Sequence, residues 1–253
     1  MLILYIDDNM IRQGKEAISA YFDALPAIGE YGLIKYFILS GILGVIVAIG
    51  LFFAAQGLGT YVTDFADAFY KISFGKKYFS TAISWISTAS FVIAFSFIFR
   101  YVMLIVQAPL MSLISAEIEK KHTGIEPEKF SMAKALGDLL RGIRIALRNI
   151  SRELLLTIML MLIGLFPLFS IFSAIGIFMV QAFYAGFGNI DYYLERRMNV
   201  RESVGFVKEN KGMAMGNGIV YLAILLIPIV GVMFGPALGT ISATLDALDY
   251  EID

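Results

Sequence analysis

The sequence predicts an all-α integral membrane protein with two spanning helices, two re-entrant, half-penetrating helical hairpins, and amphipathic cytoplasmic helices. Three observations lead there. First, 58% of the 253 residues are hydrophobic and only 16% are charged, with a mean hydropathy of +0.77. Soluble domains run at roughly 45–50% apolar and about 25% charged, so a soluble fold of this size would lack the polar surface to cover its apolar excess. Second, the chain holds four long apolar stretches, two of them interrupted near the middle by Gly and Pro. Third, Lys and Arg are distributed unevenly between those stretches. The whole of 1–253 is expected to form a single membrane domain.

Residues 1–35 mix Asp7, Asp8, Arg12, Lys15, Glu16, Asp23 and Glu30 with Ile11, Ile18, Phe22 and Leu25. That pattern predicts an amphipathic helix, broken near Pro26 and Gly29. It does not follow the order of a cleavable signal peptide, so none is expected. Residues 36–58 are uncharged, with Gln56 the main polar interruption. About 20 apolar residues cross a bilayer core, so 36–58 is the first span. Tyr61–Phe79 reads as a polar, aromatic loop. Residues 81–106 form the second span, whose one charge is Arg100. A helix entering at Thr81 reaches Arg100 after about 28 Å, where the guanidinium either snorkels to the far interface or pairs in the interior.

Residues 107–153 are polar and basic and are placed in the cytoplasm. Arg141, Arg144, Arg148 and Arg152 are spaced 3, 4 and 4 apart, which puts them on one helical stripe. Leu136, Leu139, Leu140, Ile143, Leu147 and Ile150 lie on the other side. Such a helix meets anionic headgroups or gathers anions.

The apolar stretches 154–187 and 213–245 are broken at Gly164–Pro167 and between Pro228 and Gly235–Pro236. Half-segments of about 11–15 residues cover only about 16–22 Å of a core about 30 Å thick. Each stretch is thus a kinked span or a re-entrant hairpin, and charge counting chooses between them. Lys plus Arg number 3 before the first span, 3 in 59–80, 8 in 107–153, 5 in 186–211 and none after 245. With both stretches turning back, the inside holds 16 and the outside 3. With both spanning, the figures are 11 and 8. The positive-inside rule prefers the hairpins and puts both termini in the cytoplasm. Gly231, Gly235 and Gly239 are expected to pack tightly inside the second hairpin.

Several functions are disfavoured. A net charge of −1 does not suit a nucleic-acid partner. The chain has no cysteine, and its one histidine, His122, has no partner for a His-based site, so no metal or disulfide is expected. No HExxH, GxSxG or GxxxxGK[ST] occurs, so no enzyme and no cofactor are expected.

Ala108–Pro109–Leu110, Glu117, Thr123–Gly124, Arg144–Ile145, Arg148, Gly164–Pro167, Asp191–Tyr192, Ile227–Pro228, Gly235–Pro236 and Thr240/Thr244 occur in this order. In that order and spacing the chain resembles the CysZ-type sulfate permease family of bacterial inner membranes. That family shares a domain with eukaryotic etoposide-induced endoplasmic-reticulum proteins. The resemblance runs from about Gly29 to Leu245. It implies two full spans, two half-penetrating hairpins, and a sulfate-binding Gly-Leu-Arg motif at the start of the first span. Here the matching stretch is Gly32–Leu33–Ile34–Lys35, with Ile34 at the arginine position and Lys35 next to it.

The candidate anion-binding residues are therefore Gly32, Leu33 and Lys35, at a helix start whose N–H groups suit a tetrahedral dianion. Pro167 and Pro236 are expected to open returning half-helices, placing positive helix ends near the midplane. A charged network of Glu117, Arg144, Arg148, Asp191 and Tyr192, joined by Glu195 and Arg196, is expected on the cytoplasmic side. The resemblance implies uptake of sulfate or a similar oxyanion across the bacterial inner membrane, by a channel or gradient-driven route feeding cysteine synthesis. The alternatives are a membrane-shaping scaffold and a channel for another small anion. The expected partners are that anion, membrane lipids and further copies of the chain in a homo-oligomer.

Overall fold

The computed structural model describes residues 7–69, 76–124, 132–227 and 229–252. They form helices α1 (Asp8–Glu30), α2 (Ile34–Phe69), α3 (Lys76–Thr123), α4 (Met132–Gly164), α5 (Ser170–Leu194), α6 (Val200–Glu209), α7 (Lys211–Leu225) and α8 (Val230–Ile252), with a 3-10 turn at Pro167–Phe169 before α5. No strand occurs among the described residues. Among the described residues, four stretches are long and apolar enough to cross a membrane: Ile34–Ala54, Val102–Thr123, Pro167–Leu194 and Val230–Tyr250. The chain is a multi-pass, all-helical membrane protein. It divides into two compact units, one of residues 1–37 with 109–253 and one of residues 38–108.

The first unit is assembled on α7. Its opening turns read Gly212-Met-Ala-Met-Gly216-Asn-Gly218, and small residues let helix backbones approach closely in a membrane. A Cβ on Gly218 would run into the carbonyl of Ala182 on α5, and one on Gly186 of α5 into that of Ala214. On its other side, Gly212 and Gly216 meet the backbone of α1 at Met10 and Gly14. The second hairpin closes through Gly231 against the Ile224 carbonyl and Gly235 against the Ile224 and Leu225 side chains, so this glycine series does pack the hairpin.

Buried amides hold the crossing. Asn189 donates to Asn217 Oδ1 (2.8 Å), and Asn217 donates to the Gly239 carbonyl (3.0 Å). Tyr21 of α1 donates to the Asn217 carbonyl (3.0 Å). Helices α1, α5, α7 and α8 thus share one polar knot in an apolar interior.

Helix α1 opens on Asp7, whose side chain accepts from Met10 N–H. It buries Ala17, Ala20, Tyr21 and Ala24 against its neighbours. Its large apolar residues Ile11, Ile18, Phe22 and Leu25 face outward, Phe22 with 73% exposure. Burying the small face and exposing the bulky one suits a helix whose outer surroundings are lipid. Helix α4 also turns large apolar residues outward, Leu140, Ile143, Leu147 and Ile150, while it buries Ile145 and Asn149. Helix α6 starts with a capping box between Asn199 and Glu202.

The second unit holds the α2 residues from Ile38 onward and the α3 residues up to Ala108. Its described interior includes Phe99 and Met103, and Gln107 donates to the buried Ser40 hydroxyl at 2.7 Å. Outward it shows Ile38, Ile42, Ile46, Ile49 and Phe53.

Some boundaries differ from the sequence expectation. Helix α1 runs through Pro26 to Glu30, because Pro26 lies on the exposed face. The break falls instead at Tyr31–Leu33. Residues 61–69, expected in a loop, continue α2. The helix that carries the second expected span does not end at Val106: α3 continues through Pro109 to Thr123, because Leu110, Met111 and Ile114 keep a buried helical face beyond the proline. Pro236 does not open a half-helix but lies inside α8, and the chain reverses at Leu226–Ile229, where Ile229 has φ 64°. Pro167 does stand at the start of its turn. Segments 70–75 and 125–131, Pro228, and the side chains of Arg100, Leu136 and Leu139 lie outside the described residues.

Candidate functional site

The turn that joins α1 to α2 is a helix stop followed at once by a helix start. Gly32 N–H donates to the Gly29 carbonyl (3.1 Å) and Leu33 N–H to that of Ile28 (2.8 Å). This paired pattern ends a helix through a left-handed residue, and Gly32, at φ 64°, supplies it. Leu33 is fully buried and anchors the turn. Its carbonyl accepts from Tyr36 (2.9 Å), which starts α2. The first-turn N–H groups of Ile34 and Lys35 have no intrahelical acceptor, as at any helix start. Lys35 is exposed, with its ammonium 4.8 Å from the Tyr36 ring centre. Ile34 is exposed too.

A second cation stands at this turn. Lys121, in the last turn of α3, donates to the Tyr31 carbonyl at 2.9 Å. Its ammonium lies 3.8 Å from where a Cβ on Gly32 would sit. Glu117, one turn earlier, is 4.0 Å from it. Glu117, grouped by the sequence with Arg144 and Arg148, therefore belongs to this turn. Lys121 was missed because it stands some ninety residues away in the chain, among ordinary loop-like charges.

The charged network exists, with changed membership. Asp191 at the end of α5 takes a two-pronged ion pair from Arg141 (3.1 and 3.2 Å). Arg141 also donates to the Met198 carbonyl (2.9 Å) and the Ser203 hydroxyl (2.5 Å), which ties α4 to α5 and α6. Arg196 donates to Glu119 (2.7 Å), Ser115 (2.9 Å) and the Tyr192 carbonyl (2.6 Å). Arg197 reaches the other Glu119 oxygen (2.8 Å). Ser112 donates to Glu195, and Thr244 of α8 donates to Ser115 (2.9 Å). Burial pushes the Glu195 carboxyl up to about 7, with Asp191 adding to the rise while Ser112 and Arg196 oppose it.

Of the expected members, Asp191, Tyr192, Glu195 and Arg196 are in this network. Arg144 is exposed, and Arg148 donates to Asn149 (2.7 Å) with its guanidinium 6.0 Å from the Phe187 ring centre. The arginine stripe therefore divides, with Arg141 turned inward and Arg144 and Arg152 outward. Arg141 was visible in the stripe but not its partner. Glu119 is two residues from Glu117 and so on a different helix face. No group of His, Cys, Asp and Glu suited to a metal ion occurs among the described residues.

A family model described as Sulfate transporter CysZ/Etoposide-induced protein 2.4 matches residues 20–236. The match takes in the second half of α1, the Gly32 turn, the charged cluster and the opening of α8. No curated protein matches the chain.

Proposed function

Because the chain belongs to the Sulfate transporter CysZ/Etoposide-induced protein 2.4 family, we propose that it carries sulfate or a similar oxyanion across the bacterial inner membrane. The route is a channel or a gradient-driven pathway feeding cysteine synthesis. The observation that carries this reading is the α1–α2 turn. Gly32, Leu33 and Lys35 stand at a helix start, and Lys121 brings a second ammonium against Gly32. Two lysines there offer charge to a dianion where Ile34 offers none. Lysine acts as a point charge and lacks the planar fork of arginine, which favours a tetrahedral anion held mainly by backbone N–H groups.

The test is sulfate uptake into liposomes of purified protein. Lys35→Ala and Lys121→Ala should each lower uptake at limiting sulfate roughly tenfold, the loss of one charge-assisted contact. Absence of uptake above empty vesicles under every imposed gradient would overturn the reading.

The membrane arrangement we propose has two spans and two half-depth hairpins, with both termini cytoplasmic. Exposed surface supports it. On α2 outward apolar residues run from Ile34 to Phe53, about 29 Å, a full core. On α4 the last charge before the tip, Glu153, is eleven residues from Gly164, about 17 Å. On α5 the outward apolar residues from Leu168 end at Phe178, and the next exposed residue is the polar Gln181. Both legs of the first hairpin thus show lipid-compatible surface over half a bilayer. The tips carry Leu165, Phe166 and Leu168 in one hairpin and Leu226, Ile227 and Ile229 in the other. A turn meeting water would carry polar residues.

These apolar wedges also favour a second reading, a protein that shapes the membrane without transporting. Vesicle deformation by a transport-dead Lys35→Ala/Lys121→Ala protein would support it. Association of copies would cover the hairpin flanks, so we expect a homo-oligomer.

A further inference from the structure

On α8, Ser242, Asp246 and Tyr250 are spaced four apart and share a helix face. The outer two both meet α1: Ser242 donates to the Ala17 carbonyl (3.4 Å) and Tyr250 to Glu16 (2.5 Å). Asp246, between them, is 4% exposed, and its Oδ2 has no hydrogen-bond partner among the described residues. The charges acting on it are those of Glu16, across the seam, and Asp249, on its own helix, both negative. Arg12 is engaged with Glu16 from the solvent side at 3.4 Å. Of the other elements against α8, α5 and α7 present Asn189, Asn217 and Tyr221, and α3 presents Ser115. None of these is a cation.

An ionised carboxylate buried without donors is costly, and a second negative charge facing it adds to that cost. We propose that Asp246 is a proton-binding site at the α1–α8 seam, with Glu16 as the group through which its proton exchanges with water. Glu16 suits that role because its side chain is 42% exposed. The O–H bond of the Asp246 carboxyl breaks with its electron pair left on the Asp246 carboxylate, and the proton forms a new O–H bond on the Glu16 carboxylate, which passes it to solvent. Tyr250 holds Glu16 in place and is a positioning residue. With the proton bound, α1 lies against a neutral α8. With it gone, two carboxylates face each other and the seam loosens. The site does not depend on which anion the protein carries.

Infrared difference spectra of the full-length protein in lipid, recorded over a pH series, test this. A protonated-carboxyl band that disappears as pH rises, and that Asp246→Asn deletes, is the expected result. Glu16→Gln should keep the band but move its midpoint down by about one pH unit or more, since it removes the facing negative charge. Thermal unfolding of Asp246→Asn should show a smaller decline with rising pH than the native protein, the part due to Glu195 remaining. A band untouched by Asp246→Asn would overturn the site. Should that variant not fold, a Glu16→Gln protein with an unmoved midpoint would overturn it equally.

Discussion

Arg141 shows how one side chain can define a junction. It satisfies Asp191, Ser203 and the Met198 carbonyl at once, and both ion-pair partners are largely buried. Arg141→Ala leaves a buried carboxylate unpaired, which costs about 3–5 kcal/mol, measurable as a fall in the unfolding midpoint in detergent. Arg141→Lys should recover less than half of that, because an ammonium cannot make the two-pronged pair. Glu195 supplies a pH signature. Its folded carboxyl sits at about 7, above the ordinary 4.5. Between those values the folded state holds the extra proton, so stability is fullest below 4.5 and declines as pH rises to 7. Glu195→Gln should remove roughly 1–3 kcal/mol of that decline, read from unfolding midpoints at pH 4.5, 6 and 7.5.

Among the elements, α7 is the one on which the packing depends. Gly218→Ala drives a methyl into the α5 backbone and should cost at least about 2–3 kcal/mol. Gly188→Ala, on α5 with nothing within 4 Å of a new Cβ, should be neutral or stabilising by up to about 1 kcal/mol. Thermal unfolding of the pair separates crossing from composition. Elements of this kind mark what the sequence could tell. The long apolar helices were legible because about twenty apolar residues in a row have few other uses, and Gly32 because the family resemblance set it at a helix start. Lys121, Glu119 and Arg141 were not assigned, because their partners lie 50 to 90 residues away and local spacing carries no such information. Helix α1 was legible as amphipathic, but its orientation was not. Alanines at 17, 20 and 24 outcompete larger residues for the interior only because α7 offers a glycine surface to meet them.

For the whole molecule, the decisive question is how deep the hairpins reach. The cysteine-free chain makes the measurement direct. Single variants Leu168→Cys and Leu226→Cys should resist membrane-impermeant thiol reagents from both sides of intact vesicles and react with a lipid-soluble one. Labelling from the outer face would mean that the stretches span.

The knot around Asn217 also governs the order in which the protein can be made. Tyr21 waits 196 residues for its acceptor, and Gln13 waits 199 for the N–H of Gly212. Helix α1 leaves the ribosome before α2–α8, and the surface that receives it, on α7 and α8, follows all the others. Until then its alanine face has no binding partner in the chain, and the bilayer interface is the natural place for it to rest. Insertion of the second hairpin is therefore the event that recruits the N-terminus. Nascent chains halted before residue 211 should leave α1 open to protease, and chains extended past α8 should protect it.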